Sequence, residues 1–350
     1  MRSIFAEQLI AGALTLTTLS LSAQDPEALK ILVGGTFAKP KIIPKMEKLA
    51  IAQASIYFKT ATTREVYENE RGGLLGGRKS GGGAVAGRIT AYLETTDGEL
   101  TEQDYQELAD NFYKYFNQKL QAAGVSTVDW NTITNTTFYK EDGTDLEELK
   151  KDMDAMKKKG QIYAHINANK GSTLYRYNIA GGMFNTGFAF GKAKRAEKFS
   201  EQIGAPAIYM HLVVDFADIW LDGDVKTGTS NESTMFYTKV TTSKKWKMDA
   251  KVGADMKVST AGTSMLYNEK SQAEILNVVK DISSNVPFAS GVSADASKEV
   301  LRKKDNIFAK DFNMTPMVVS TTKAQYKAAA AKALENYADT FVAKLAATKK

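Results

Sequence analysis

Cysteine is absent from this 350-residue chain. No disulfide can staple it, so its stability must come from a packed core. The same absence excludes a lipoprotein anchored through an acylated cysteine. Histidine is nearly absent too, with only His165 and His211. A Ser-His-Asp relay needs one of them as its base, and neither stands in His-Glu-x-x-His or a similar zinc spacing. Both sit on strand-like, apolar segments (Tyr163-Ala164 before His165, Met210 and Leu212 around His211), where a histidine reads as a core residue. No apolar run is long enough to span a bilayer, which takes roughly 20 residues.

What is present begins with a segment unlike a domain start. Arg2 gives a minimal positive region, Leu9 to Leu21 is an apolar run of signal-peptide length, and Ser20-Leu21-Ser22-Ala23-Gln24 supplies small residues for cleavage. Residues 1–23 therefore read as a signal peptide of a secreted chain, bound for the periplasm or the outer membrane. The rest, 43% hydrophobic and 25% charged over the whole chain, is of ordinary globular composition. Its charge is uneven: from Lys226 to Lys350 there are 20 Lys and Arg against 12 Asp and Glu, a net of +8, while the remainder is at −2. A basic C-terminal part suits an anionic envelope surface or an acidic partner protein; an exported chain is not expected to meet nucleic acid.

The pattern along the chain predicts an α+β (or α/β) fold, a mixed sheet flanked by helices. Ile31 to Val33 and Lys48 to Phe58 read as early strands, and Arg88 to Thr95 as another. Between them Gly72 to Gly87 holds eight glycines, with Arg78, Lys79 and Arg88 around them, and reads as a surface loop. Thr101-Glu102-Gln103-Asp104 is a capped helix start, and Tyr105, Leu108, Phe112, Tyr115, Phe116 and Leu120 give one apolar face ending at Gly124. A second helix is expected over 145–159 and a third over 192–203, each stopped by glycine. Gly181 to Gly191 is a second glycine-rich stretch.

Ala207 to Leu221 is a long apolar strand. From Trp246 to Ser259 apolar and polar residues alternate strictly, as in a strand with one covered face. Its expected partner is Met235 to Val240, through a turn near 242–245. Tyr326, Ala330, Leu334, Tyr337, Phe341 and Leu345 stripe an amphipathic C-terminal helix. These signals divide the chain into residues 24–260, an α/β envelope domain, and 261–350, a mainly helical basic region.

Two short motifs carry a resemblance. Leu120-Gln121-Ala122-Ala123-Gly124-Val125 ends a helix and starts a strand, and the helix end from Ala196 to Gly204-Ala205 feeds a long strand and hairpin. In this order of elements, about half of the chain resembles the α/β envelope domain shared by the curli secretion channel CsgG and the N-terminal domain of TolB. The resemblance implies a non-enzymatic domain for assembly or partner docking or, in the channel case, an oligomeric outer-membrane pore. The channel subunit is a lipoprotein, whereas this chain has no cysteine to acylate.

Other chemistry is thin. Asp215, Asp218, Asp222 and Asp224 crowd one strand, but without the spacing of a calcium hand. Gly76-Gly77-Arg78-Lys79-Ser80 lacks the Gly-Lys-Ser/Thr of a phosphate loop. No catalytic, metal or cofactor residues are assigned. The expected role is a docking or assembly subunit of an envelope or secretion complex, with envelope proteins or a second copy as partners. A pore, or a hydrolase acting on envelope material, is the alternative.

Overall fold

The computed structural model describes residues 25–33, 39–69, 84–137, 139, 154, 157, 159–171, 191–233, 238–260, 264–268, 270, 272–301 and 309–349. The expected signal segment, the glycine-rich stretch up to residue 83, most of the helix over 145–159 and the stretch 181–190 lie outside them.

In chain order the elements are β1 (Leu29–Val33), β2 (Lys48–Asn69), β3 (Ala84–Thr95), α1 (Glu102–Ala122), β4 (Ser126–Thr127), α2 (Trp130–Thr134), β5 (Gln161–Asn167) and α3 (Gly191–Ile203). Then come β6 (Ala207–Ser233), β7 (Thr238–Thr260), β8 (Ser264–Tyr267), β9 (Ala273–Val278), β10 (Ile282–Ser283), β11 (Ala289–Ala294), β12 (Ala309–Asn313), β13 (Met317–Thr321) and α4 (Lys323–Lys349). The fold is α+β: a mixed, open sheet of 13 strands whose main path runs β1-β9-β8-β6-β2-β3-β13-β11.

Helices cover the sheet on two faces. On the first, α1 and α4 pack on each other and on Leu49, Ile51, Ile56, Phe58, Met210, Leu212 and Val214. Thr101 and Asp104 close a capping box at the start of α1, Asp104 N donating to Thr101 Oγ1 at 3.3 Å and Thr101 N to Asp104 Oδ2 at 2.8 Å. Those bonds from Thr101 hold the Asp104 carboxyl down at about 2. The α4 stripe predicted from Tyr326 to Leu345 is buried throughout, and Phe116 meets Phe341 edge-on at 5.1 Å. Each large side chain so buried contributes about 1.5–3 kcal/mol. On the second face, α2 and α3 lay Ile133, Ala196, Phe199 and Ile203 over Ala50, Ala52, Ala207, Tyr209, Met265 and Tyr267.

β2 organises the sheet. Its first half, Ala50 to Phe58, runs parallel to Ala207–Val214 of β6. Beyond Val214 β6 leaves β2, while its ladder with β7, which begins at Leu212 on the other edge of β6, passes the Asp215/Ala217 irregularity and continues out to Ser233. The vacated edge of β2 is taken by β3, from Ala61 to Asn69. Because β2 and β6 are parallel, the β2–β3 ribbon, with β12 paired along the outer edge of β3 from Ala84 to Arg88, and the β6–β7 ribbon leave the sheet in the same direction. They touch where Gly87 of β3 faces Met248 of β7, so closely that a Cβ at Gly87 would collide with the methionine side chain. Inside the β2–β3 ribbon, Arg88 is fully buried and its Nε bonds Glu65 Oε1 at 2.5 Å.

Three expectations change. The partner of the alternating strand is β6, not Met235–Val240, and residues 242–245 continue β7. The Thr and Ser taken there for a turn are at home in a strand. Residues 84–87, expected within the glycine-rich loop, are β3, with Gly87 chosen for the close approach of Met248. The region from 261, expected to be mainly helical, supplies β8 to β13 of the same sheet before α4 begins. Strands of two to six residues are too short to show a period.

Two outcomes are expected in urea unfolding. Arg88→Ala leaves Glu65 buried without its cation and costs about 3–5 kcal/mol, most of it recovered by replacing both with apolar residues. Gly87→Ala obliges the flexible end of Met248 to move aside and costs about 1 kcal/mol, the lower end of overpacking losses, and adding Met248→Ala returns that loss.

Candidate functional site

The second face of the sheet carries, beyond α3, a row of polar and aromatic side chains from three strands. Alternation in β2 puts Gln53, Ser55 and Tyr57 there, with Tyr163, His165 and Asn167 from β5 and Tyr209 and His211 from β6. Gln53 Nε2 donates to Ser55 Oγ at 2.6 Å, and Ser55 Oγ donates to Asn167 Oδ1 at 2.6 Å. The His165 ring stacks on Tyr57, centroids 4.3 Å apart and planes at 15°, while Tyr163 meets Tyr57 edge-on at 5.2 Å.

Both histidines predicted as core residues are on this face, on opposite sides of β2. His165 stands across from Tyr57 and His211 across from Ser55. His211 is fully buried. Burial pushes the His165 imidazole down to about 4, so the ring is neutral near pH 7. A hydrolytic relay also needs a carboxylate to orient the base. Asp215, four residues beyond His211, is instead ion-paired with Lys59 and accepts from Phe216 N at 2.9 Å. This row can hydrogen-bond and stack, and it fixes β5 against β2.

The acidic strand end does not converge either. Asp215 is held by Lys59 and Asp218 by Lys257 at 3.3 Å, while Asp222 stands opposite Asp249 along the ribbon. Among the described residues, no three His, Asp or Glu side chains are grouped to hold a metal. The loop Gly76 to Ser80 lies outside the described residues.

The β6–β7 ribbon is the other feature with a functional geometry. Its ladder has 21 paired positions, from Leu212–Thr260 to Ser233–Thr238. On the outward face Trp220 is 47% exposed, with Lys251 Nζ 5.9 Å from its ring, next to exposed Asp218, Asp222, Asp249 and Lys247. On the inward face Ile219 and Val252 pack against the core and Met248 reaches Gly87. The alternation from Trp246 thus predicted the two-faced strand, while its partner, 25 or more residues upstream for most of its length, left no local signal.

Fold and site together define an α+β protein with one helix-covered sheet and two co-directional ribbons. Comparison with protein-family models, curated proteins and solved structures finds no match to this chain. No helix among the described residues is long and apolar enough to cross a membrane.

The neutral His165 has a pH signature. The imidazole binds its proton near 6.5 in the unfolded chain and at about 4 in the folded one. Its neutral-form stability is therefore complete above about pH 6.5 and is lost as the pH falls toward 4, where the unfolded chain binds more protons. Melting curves between pH 4 and 7 should show a steeper fall in Tm for the native chain than for His165→Phe, which keeps a ring on Tyr57. Parallel curves would show that His165 does not titrate this way.

Proposed function

We propose that this chain is a non-enzymatic, exported envelope protein that serves as a docking or assembly subunit of an envelope or secretion complex. The observation that carries this reading is the pair of ribbons leaving one end of the sheet in the same direction. β6 and β7 stay paired for ten residues beyond Gly223, about 33 Å of backbone ladder at 3.3 Å per residue. A two-stranded ribbon of that length has little stability alone, and a partner lying against it would supply the missing contacts. The basic charge from Lys226 onward suits an acidic partner or an anionic envelope surface. The signal segment expected over residues 1–23 supports a partner in the periplasm or at the outer membrane.

A pore of the curli-channel type is the second reading. The length of the β6–β7 ribbon favours it, since a membrane strand needs about 9–11 residues. Against it, the apolar side of β7 already has partners within the chain, at Gly87 and the main core. The segments Val225–Ser233 and Thr238–Lys245 are rich in Thr, Ser and Lys, and a lipid-facing set should alternate apolar residues. A hydrolase finds less support, because His165 and His211 lie on either side of β2 without a shared carboxylate.

The test is a shortened ribbon. Replacing residues 225–246 by a two-residue turn between Asp224 and Lys247 should leave the melting transition within a few degrees of the native one. In cross-linked native envelope fractions, the shortened chain should migrate without other envelope proteins where the full chain migrates in a complex with them. Equal complex formation by both chains would count against docking through the ribbon. Release of entrapped dye from lipid vesicles by the full chain only would select the pore.

A further inference from the structure

β1 ends the sheet, and β9 is its partner on the one side. The antiparallel register decides which backbone groups remain outside. Val279 N donates to Ala28 O at 2.8 Å; Lys30 and Leu32, two and four residues on, point their groups to β9 in the same phase. Leu29, Ile31 and Val33 therefore turn theirs outward. Leu29 N–H is committed to Pro26 O, which leaves Leu29 C=O and both groups of Ile31 and Val33. Among the described residues nothing bonds to that edge.

The two ends of the sheet are not alike. β11, at the far end, is broken by a bulge between Ala289 and Gly291, a device that spoils edge pairing. β1 has neither bulge nor proline. Its outer face shows Leu32 at 46% exposure, and Val279 beside the start of the strand is 42% exposed.

We propose that β1 pairs with β1 of a second copy of the chain, antiparallel, across a twofold axis at Ile31. The free groups are self-complementary in this register. Ile31 N–H and C=O exchange two bonds with the partner's Ile31, and Val33 N–H of each copy reaches Leu29 C=O of the other. The Leu29 N–H that would otherwise need an acceptor is the one already used within the chain. Lys30 then stands opposite Leu32 of the other copy, so no like charges face each other and the lysine stem covers the exposed leucine. The interface is isologous and closes at two copies. A five-residue strand buries less than a standard interface, so the dimer dissociates on dilution.

This inference is independent of the docking role of the ribbons, because β1 pairs with β9 and is a strand of neither ribbon. It is tested by sedimentation velocity over a concentration series of the purified chain. The native chain should pass from monomer to dimer. Leu32→Lys sets Lys30 against a second lysine twice per dimer and should raise the dissociation constant about tenfold. Leu32→Glu should tighten the dimer at low salt and lose that gain at high salt. Leu32 is exposed, so both variants should melt like the native chain. In the double variant Lys30→Cys/Leu32→Cys, positions 30 and 32 of opposite copies form a non-hydrogen-bonded pair about 4.5 Å apart at Cα. Mild oxidation should then give a covalent dimer, with no native cysteine to confuse the result. A chain monomeric throughout the series, an unchanged constant in Leu32→Lys, or a double-cysteine variant that stays monomeric while folded would each overturn the proposal.

Discussion

The architecture depends on one strand that changes partners midway. β2 is flanked by β6 over its first half and by β3 over its second, with β5 along its other edge between Ser55 and Thr62. A strand has two edges, so β6 must leave before β3 can enter. It leaves at the irregularity between Asp215 and Ala217, and the Lys59–Asp215 ion pair bridges the two strands there. Asp215 also accepts from the backbone N–H of Phe216 and Ala217 within that irregularity, so the carboxylate satisfies donors that the broken ladder would leave open. The direction of both ribbons follows from the same junction.

Polar groups buried elsewhere hold segments that have no ladder of their own. Glu274 is 1% exposed, and its carboxylate accepts from Ile42 N at 2.6 Å and Ile43 N at 3.2 Å, and also from Lys41 N. A buried charge costs several kcal/mol unless its hydrogen bonds are made; here the backbone of the 41–43 segment makes them, and the segment is pinned over the start of the sheet. Arg88 and Glu65, which face each other within the β2–β3 ladder, satisfy their buried charges across it. Neither arrangement strengthens the fold as an apolar pair would. Each specifies one register, because a slip of one residue would strand a charge.

Local signals in the sequence were good where the physics is local. The Thr101–Asp104 cap, the α1 and α4 stripes, and the glycines ending helices, Gly124 and Gly204 at φ +77° and +63°, all stand where the pattern puts them. Helix periodicity and capping are set within four residues. Tyr113 escaped because it lies off the main stripe of α1 and packs edge-on against Trp130 at 5.7 Å. Strand partners were far less legible. The alternation from Trp246 identifies β7 but not β6 as its mate, and β8 to β13, inside a region expected to be mainly helical, are too short to show a period.

Of the candidate site, the apolar strand setting of its two histidines was legible in the sequence. Two lone histidines on apolar strands were expected in the core, and both sit on the buried second face. What no spacing could announce is that β2 would separate them and that Tyr57 would stack on one. That stacking matters for the chemistry. A neutral imidazole packed on a tyrosine ring, with its proton affinity driven down by burial, resists charging where a general base would need to accept a proton near pH 7. The same burial that makes His165 a poor base makes it a good strut for β5. Among the described residues, Trp220 on the β6–β7 ribbon and Leu32 on β1 are apolar side chains that still face water, and both surfaces are open to a partner.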